Sequence, residues 1–221
     1  MAVILHEHLR EPGEWGLWHI TEPENWLREN VALFPAEISG LETIKGEGRR
    51  REFLAARMLL HYMSGRDERG ELYKDEMGKP HLRDSHFHVS ISHTVDYAAA
   101  IAHPNPCGVD VQRIVPRIRR MAHKFVGAAE QKQLLPEHEL LQLHLIWSAK
   151  EAMYKAFGRR ELDFRKNLFV DFEGFTPWKM TGTAFLRKGD VEMAFALDFR
   201  RYENFVLVGC VEQTAPPPIT G

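Results

Sequence analysis

Trp147-Ser148-Ala149-Lys150-Glu151-Ala152-Met153-Tyr154-Lys155 lies inside a helical pattern that runs from about 138 to 157 and is closed by Gly158. Trp147, Glu151 and Lys155 recur at i, i+4 and i+8 and form one stripe, with Leu143 a turn earlier. Spacing alone leaves two readings. The stripe is an exposed Glu-to-Lys pair worth about 0.3 kcal/mol, or it carries ions at the edge of a core, because Leu143 and Trp147 share its face.

Working back from this helix, residues 117–125 and 128–135 also read as helical, and Gly108 to Ile114 reads as a strand. On that strand Asp110 and Gln112 are two apart and share a face, while Val109 and Val111 point the other way into apolar packing. A carboxylate and an amide oxygen side by side are hard oxygen ligands that suit Mg²⁺. An acid at a strand end also serves as a turn or cap residue, so this signal leaves both open. Forward of Gly158 the chain turns to strands at 167–172, 178–187, 191–199 and 204–212. Gly189-Asp190 reads as a hairpin turn between two of them.

Before the Asp110 strand, Pro104-Asn105-Pro106 is a strong turn signal. Residues 1–21 read as one or two strands, and Pro23 can open a helix. Residues 47–64 form a clear helix, with Phe53, Leu54, Arg57, Met58 and His61 at helical spacing and Gly65 as its stop. A polar loop from Lys74 to Lys79 is closed by Gly78-Lys79-Pro80. Residues 86–92 alternate with period 2 and predict a strand, followed by another from Tyr97 to Ala102. The first of these carries Ser92 and leads to His93. Together they offer hydroxyl and imidazole donors to a phosphate, or they simply form a solvated strand terminus. The order is thus β, α, β, then β, α, β, an α+β chain in two halves without a sequence repeat. The predicted units are 1–105 and 106–213, with a Pro-rich tail, 214–221, expected to be disordered.

Composition sets the outer bounds. The chain has 221 residues, of which 44% are hydrophobic and 27% charged, as in ordinary globular domains. At this length roughly 70% of the unfolded surface can be buried, so folding requires no metal or disulfide staple. The net charge of −2 gives no global basic field and argues against a nucleic-acid partner. Charge is uneven locally. Lys45, Arg49, Arg50 and Arg51 form one basic cluster, and Arg113, Arg117, Arg119, Arg120 and Lys124 form another. Each is either a solvated helix face or a landing place for phosphates or an acidic partner. Cys107 and Cys210 read as buried free thiols. Met1 to Trp15 lacks a signal-peptide pattern, and no stretch approaches the roughly 20 apolar residues of a membrane span. The expectation is a cytoplasmic protein with no membrane partner.

Weak one by one, these motifs in this order resemble the Sfp-type 4′-phosphopantetheinyl transferases. The resemblance rests on Gly78-Lys79-Pro80, His88 through Thr94, Gly108-Val109-Asp110-Val111, Phe125 through Glu130, and the Trp147 to Lys155 block, and it spans about residues 50 to 170. It implies a pseudo-dimer of two similar α+β halves with the active site in the cleft between them. It also implies transfer of the phosphopantetheine arm of coenzyme A to a serine of an apo acyl or peptidyl carrier protein, with release of adenosine 3′,5′-bisphosphate. By this resemblance Mg²⁺ is held by Asp110 and Glu151, with Gln112 where many members have Glu. Glu151 doubles as general base, Lys155 contacts the pyrophosphate, and Lys150 assists. Ser92 and His93 resemble the 3′-phosphate contacts; Lys79 and Arg57 resemble basic residues around the nucleotide, and Arg51 is a looser match. The carrier is expected to be acidic, with the Arg113 to Lys124 cluster as its dock, and the enzyme a monomer. The alternative is a non-catalytic relative that binds CoA or carrier protein without transfer, for which Gln112 is the support.

Overall fold

A computed structural model describes residues 2–159 and 161–213. The chain divides into two units, Met1–Pro104 and Asn105–Gly221. The expected disordered tail lies outside the described residues.

The N-terminal unit is an antiparallel six-stranded sheet carrying one long helix. Its strands are β1 (Ala2–His8), β2 (Glu14–His19), β3 (Leu72–Lys74), β4 (Pro80–Leu82), β5 (His88–Thr94) and β6 (Tyr97–His103). Their order across the sheet is β1-β2-β6-β5-β4-β3. Two short helices, α1 (Glu24–Asn30) and α2 (Pro35–Glu42), precede α3 (Glu47–Ser64), which packs on β2, β5 and β6. Helix α3 ends where expected, with Gly65 left-handed at φ 59. Its buried residues are Glu52, Leu54, Ala55, Ala56, Arg57, Leu59, Leu60 and Met63, at helical spacing. Of the predicted stripe, Leu54 and Arg57 are buried, whereas Phe53, Met58 and His61 remain half-buried. Sequence weighting favoured the large side chains, whereas close packing on the sheet selects the small Ala55 and Ala56.

Helix α2 was not anticipated. Pro35 supplies its first turn, and Glu37 accepts a hydrogen bond from the Phe34 amide at 3.0 Å. The same carboxylate is buried against the guanidinium groups of Arg57 and Arg69. The β3–β4 hairpin was read only as a polar loop. Asp75 organises its turn, accepting from the amides of Met77 at 3.0 Å and Lys79 at 2.8 Å, and Gly78 sits at φ 88.

The C-terminal unit repeats the plan with five strands, β7 (Cys107–Arg113), β8 (Leu168–Asp171), β9 (Thr181–Lys188), β10 (Val191–Arg201) and β11 (Phe205–Gln213). They are antiparallel in the order β7-β11-β10-β9-β8. Gly189, at φ 58, forms the expected turn between β9 and β10. Three helices follow β7: α4 (Ile118–Met121), α5 (Ala128–Gln133) and α6 (Glu139–Phe157). The helix predicted over 117–125 is thus shorter, giving way to a 3₁₀ turn at Ala122–Lys124. The one predicted over 128–135 stops early, because Pro136 drives Leu135 to an extended conformation.

Helix α6 crosses β7, β8 and β11. Leu143, Ile146, Ala149, Ala152, Met153 and Ala156 join Phe195, Val206, Val208 and Cys210 in one core. At Gly108 strand and helix meet backbone to backbone: a Cβ there would collide with the Ala152 carbonyl and lie 3.1 Å from the Ala156 nitrogen. Only glycine permits this approach. Cys107 and Cys210 are buried thiols outside any disulfide. Cys210 pairs with Gly108 and Cys107 with Val211, so the two thiols point to opposite sheet faces. Among the described residues no helix is long and apolar enough to cross a membrane.

Candidate active site

The close contact at Gly108 determines what α6 can present to β7. Two residues along the strand, Asp110 is buried at 6% exposure. Lys155, one turn beyond Glu151, reaches back across the contact. Its Nζ donates to Asp110 Oδ1 at 2.9 Å and to the Val109 carbonyl at 2.8 Å. Glu151 is half-buried on the same helix. Burial first, and then the Asp110 charge, raise its carboxyl above the usual range, while Lys155 partly offsets them. Among the described residues no side chain forms a hydrogen bond or ion pair with Glu151. Of the two readings of the helix stripe, the ions lie at a core edge: Lys155 engages Asp110, and Trp147 packs against Phe125 and Phe164 at centroid distances of 5.1 and 5.7 Å.

The donor set fits a hard divalent cation. The Asp110 charge raises the cost of ionising Glu151, against a single ammonium, and Gln112 adds an amide oxygen on the Asp110 face of the strand. Among the described residues no group of three or more His, Cys, Asp or Glu is arranged to hold a metal. Two carboxylates with further oxygens from substrate or water is the way Mg²⁺ is commonly bound.

Lys150 stands elsewhere, contrary to its expected part in catalysis. It points to the opposite side of α6, wholly buried, and donates to the Phe125 carbonyl at 2.7 Å, Glu130 Oε2 at 2.7 Å and the Phe164 carbonyl at 2.8 Å. Three donors and three acceptors leave nothing for a substrate. Burial lowers its pKa, opposed by the Glu130 charge. Glu130 also accepts from the amides of Gly127 at 2.7 Å and Val170 at 2.9 Å. The pair therefore knits α6, the start of α5 and β8 together.

In the N-terminal unit His93 ends near α3. Its Nδ1 lies 2.8 Å from Arg49 Nη1 and 3.0 Å from Glu52 Oε2. Unprotonated, Nδ1 accepts from Arg49; protonated, it donates to Glu52. Burial alone would raise the Glu52 pKa, but His93 and Arg49 outweigh it and hold it low. Arg49 and His93 keep 62% and 39% of their side-chain exposure, so the cationic side of this cluster faces solvent. Arg49 belonged to a basic cluster of undecided role. Its signal was position, one helical turn from a buried Glu52.

The other expected nucleotide contacts separate. Ser92 is buried, and as the strand neighbour of His93 its side chain points to the opposite sheet face. Lys79 is half-buried at the end of the β3–β4 turn. Arg57 is a correction: it is 5% exposed, paired with Glu37 at 3.1 Å and stacked on the Phe53 ring at 3.3 Å. Arg51 is another. Its guanidinium donates to the carbonyls of Glu22 at 2.9 Å and Ile20 at 2.6 Å, tying α3 to the segment after β2. Sequence reading treated these arginines as free forks, but folding supplied internal acceptors.

Two family models match the chain, one in each unit. A 4′-phosphopantetheinyl transferase N-terminal domain covers residues 45–103, and the 4′-phosphopantetheinyl transferase superfamily covers residues 106–197. A 4′-phosphopantetheinyl transferase of Bacillus pumilus is 34% identical over 87 residues, 37% of each chain. One of Bacillus subtilis is 31% identical over 88 residues, 38% of this chain and 39% of the relative. One of Aneurinibacillus migulanus is 27% identical over 111 residues, 49% and 46%. The chain thus spans less than half the length of the curated relatives it matches.

Proposed function

Because the chain belongs to the 4′-phosphopantetheinyl transferase superfamily, we propose that it transfers the 4′-phosphopantetheine arm of coenzyme A to a serine of an apo acyl or peptidyl carrier protein. The observation that carries this reading is the grouping of Asp110, Glu151 and Lys155 where α6 crosses β7. The serine hydroxyl attacks the phosphate that bears pantetheine, and adenosine 3′,5′-bisphosphate leaves. Such a transfer needs an in-line nucleophile, neutralised charge and a base.

Asp110 and Glu151 would hold Mg²⁺, with Gln112 beside them. When bound, the ion would neutralise pyrophosphate charge and polarise phosphorus. Glu151 takes the serine proton, directly or through water. Its raised pKa brings it nearer the range in which a general base works at neutral pH. Lys155, already oriented by Asp110, contacts the pyrophosphate and steadies the leaving group. Arg49 and His93 hold the 3′-phosphate by charge-assisted hydrogen bonds, with Lys79 near the nucleotide. Ser92, Arg51, Arg57 and Lys150 support the frame. The exposed Arg117 and Arg120 on the α4 side meet an acidic carrier surface.

The test is to mix the protein with CoA, Mg²⁺ and an apo carrier protein, then weigh the carrier. A phosphopantetheine mass gain with equimolar adenosine 3′,5′-bisphosphate is expected. An unchanged mass beside measurable CoA binding would select the non-catalytic reading instead.

A further inference from the structure

His144 sits on α6 two turns before Glu151 and is completely buried. Its Nδ1 lies 2.8 Å from the Leu140 carbonyl, and its Nε2 lies 3.0 Å from the Val115 amide nitrogen. A carbonyl only accepts and an amide N–H only donates. The ring is therefore fixed in one form: Nδ1 carries the proton and gives it to Leu140, while the Nε2 lone pair receives the Val115 N–H. That form is neutral.

Val115 belongs to the turn that leaves β7. Ile114 donates to the Asn204 carbonyl at 2.8 Å, Val115 donates to His144, and Pro116 has no N–H to give. Beyond this turn comes the basic segment with Arg117, Arg119, Arg120 and Lys124. The side chain of His144 thus joins the helix of Glu151 to the root of the basic segment.

We propose that His144 is a positioning residue whose neutral imidazole pins the Val115 turn to α6, setting where the basic segment stands relative to Glu151 and making carrier docking sensitive to acid. This rests on the transferase reading above.

The surroundings fix the sign. Burial lowers the His144 pKa, the Arg119 charge lowers it further, and backbone contacts to Leu140 and Arg113 raise it in part; the net direction is down. The charge that acts on it is that of Arg119 of α4, which pairs with Glu139 at the start of α6 at 2.7 Å, whereas Arg113 at the end of β7 meets it through backbone only. At neutral pH the ring is uncharged and the pin is closed. Acidification adds a proton at Nε2, setting one donor against another at Val115.

Two variants test this. His144→Gln keeps a carbonyl oxygen that can accept from Val115 and does not titrate, whereas His144→Leu fills the space only. Carrier KM and CoA KM are measured across mildly acid to neutral pH for the parent protein and both variants. For the parent, carrier KM should rise several-fold on the acid side with CoA KM flat. His144→Gln should lose that acid limb and keep the neutral value, and His144→Leu should show a raised carrier KM at every pH. An acid limb unchanged in His144→Gln, or a normal carrier KM in His144→Leu, would overturn the docking role. Independently of turnover, the Val115 amide resonance of the free parent protein should shift with the same midpoint as the His144 imidazole; a Val115 resonance indifferent to that titration would overturn the pin. A parent protein that shows the shared midpoint but modifies no carrier at any pH would overturn the transferase reading and the docking role, leaving the pin standing.

Discussion

Each unit places one glycine strand residue beneath its long helix, and the two contacts differ in kind. At Gly16 on β2, under α3, a Cβ would lie 2.9 Å from Met63 Sδ and 3.0 Å from Leu59 Cδ1, the far ends of flexible side chains, with the Leu5 carbonyl at 3.3 Å. At Gly108 on β7, under α6, it would strike the Ala152 carbonyl itself. Helix α3 rides on a layer of side chains that can adjust. Helix α6 rests on strand backbone, and the residues flanking that contact are Asp110 on one side and Glu151 and Lys155 on the other. The unit proposed for the chemistry is the one in which helix and strand have no freedom to slide.

Replacing the two glycines by alanine separates these contacts, and the largest effect in the molecule is expected here. Gly16→Ala should cost about 1–3 kcal/mol, the usual range for overpacking. Gly108→Ala should cost more, because peptide backbone cannot move aside as a Met side chain can, and transfer should be lost with it. Thermal unfolding and turnover of the two variants decide the matter. Equal, mild effects would mean that the backbone contact does not set the site.

Next in size is the pair Lys150 and Lys155. Lys150→Met leaves Glu130 buried without its cation, a loss of about 3–5 kcal/mol for broken buried pairs. Adding Glu130→Gln should recover part of it. Lys155→Met, at a part-exposed position, should cost less stability than Lys150→Met but transfer slowly. Denaturant titration beside turnover separates the roles; a Lys150→Met protein with normal stability and lost turnover would return Lys150 to catalysis.

The N-terminal cluster is predicted to act on binding alone. His93→Ala should raise the KM for CoA well above that for 3′-dephospho-CoA, by about 1.5–3 kcal/mol for one charge-assisted bond. Equal effects on both substrates would remove His93 from the 3′-phosphate. Gln112→Ala should be the mildest change, under tenfold in kcat/KM, or about 1.4 kcal/mol, because water can take the place of a neutral amide at Mg²⁺. In an Mg²⁺ titration, damage matching that of Asp110→Ala would make the amide a true ligand.

The same contrast explains what the sequence disclosed. The two long helices and their glycine stops at Gly65 and Gly158 were legible because period and C-cap are local. Strand alternation placed Asp110 and Gln112 on one face for the same reason. Helix α2 and the β3–β4 hairpin were missed because Glu37 and Asp75 act through partners distant in sequence or through side-chain turns. The site was half legible. That Glu151 and Lys155 share a helix face follows from spacing, and the resemblance supplied their expected roles, but spacing cannot say on which side of α6 Lys150 finds Glu130, 20 residues away. Nor can it say that Arg57 is claimed by Glu37 while Arg49 stays at the surface beside His93.

The central claim is that Glu151, held against β7 by the Gly108 contact, serves both metal and proton transfer. The most direct measurement is the rate of phosphopantetheine mass gain on a carrier protein by the parent and by Glu151→Ala, at saturating Mg²⁺ and CoA. Removal of a general base costs about 10²–10⁴-fold, so the variant should lose nearly all transfer while its CoA binding falls far less. Near-normal transfer by Glu151→Ala would contradict the account.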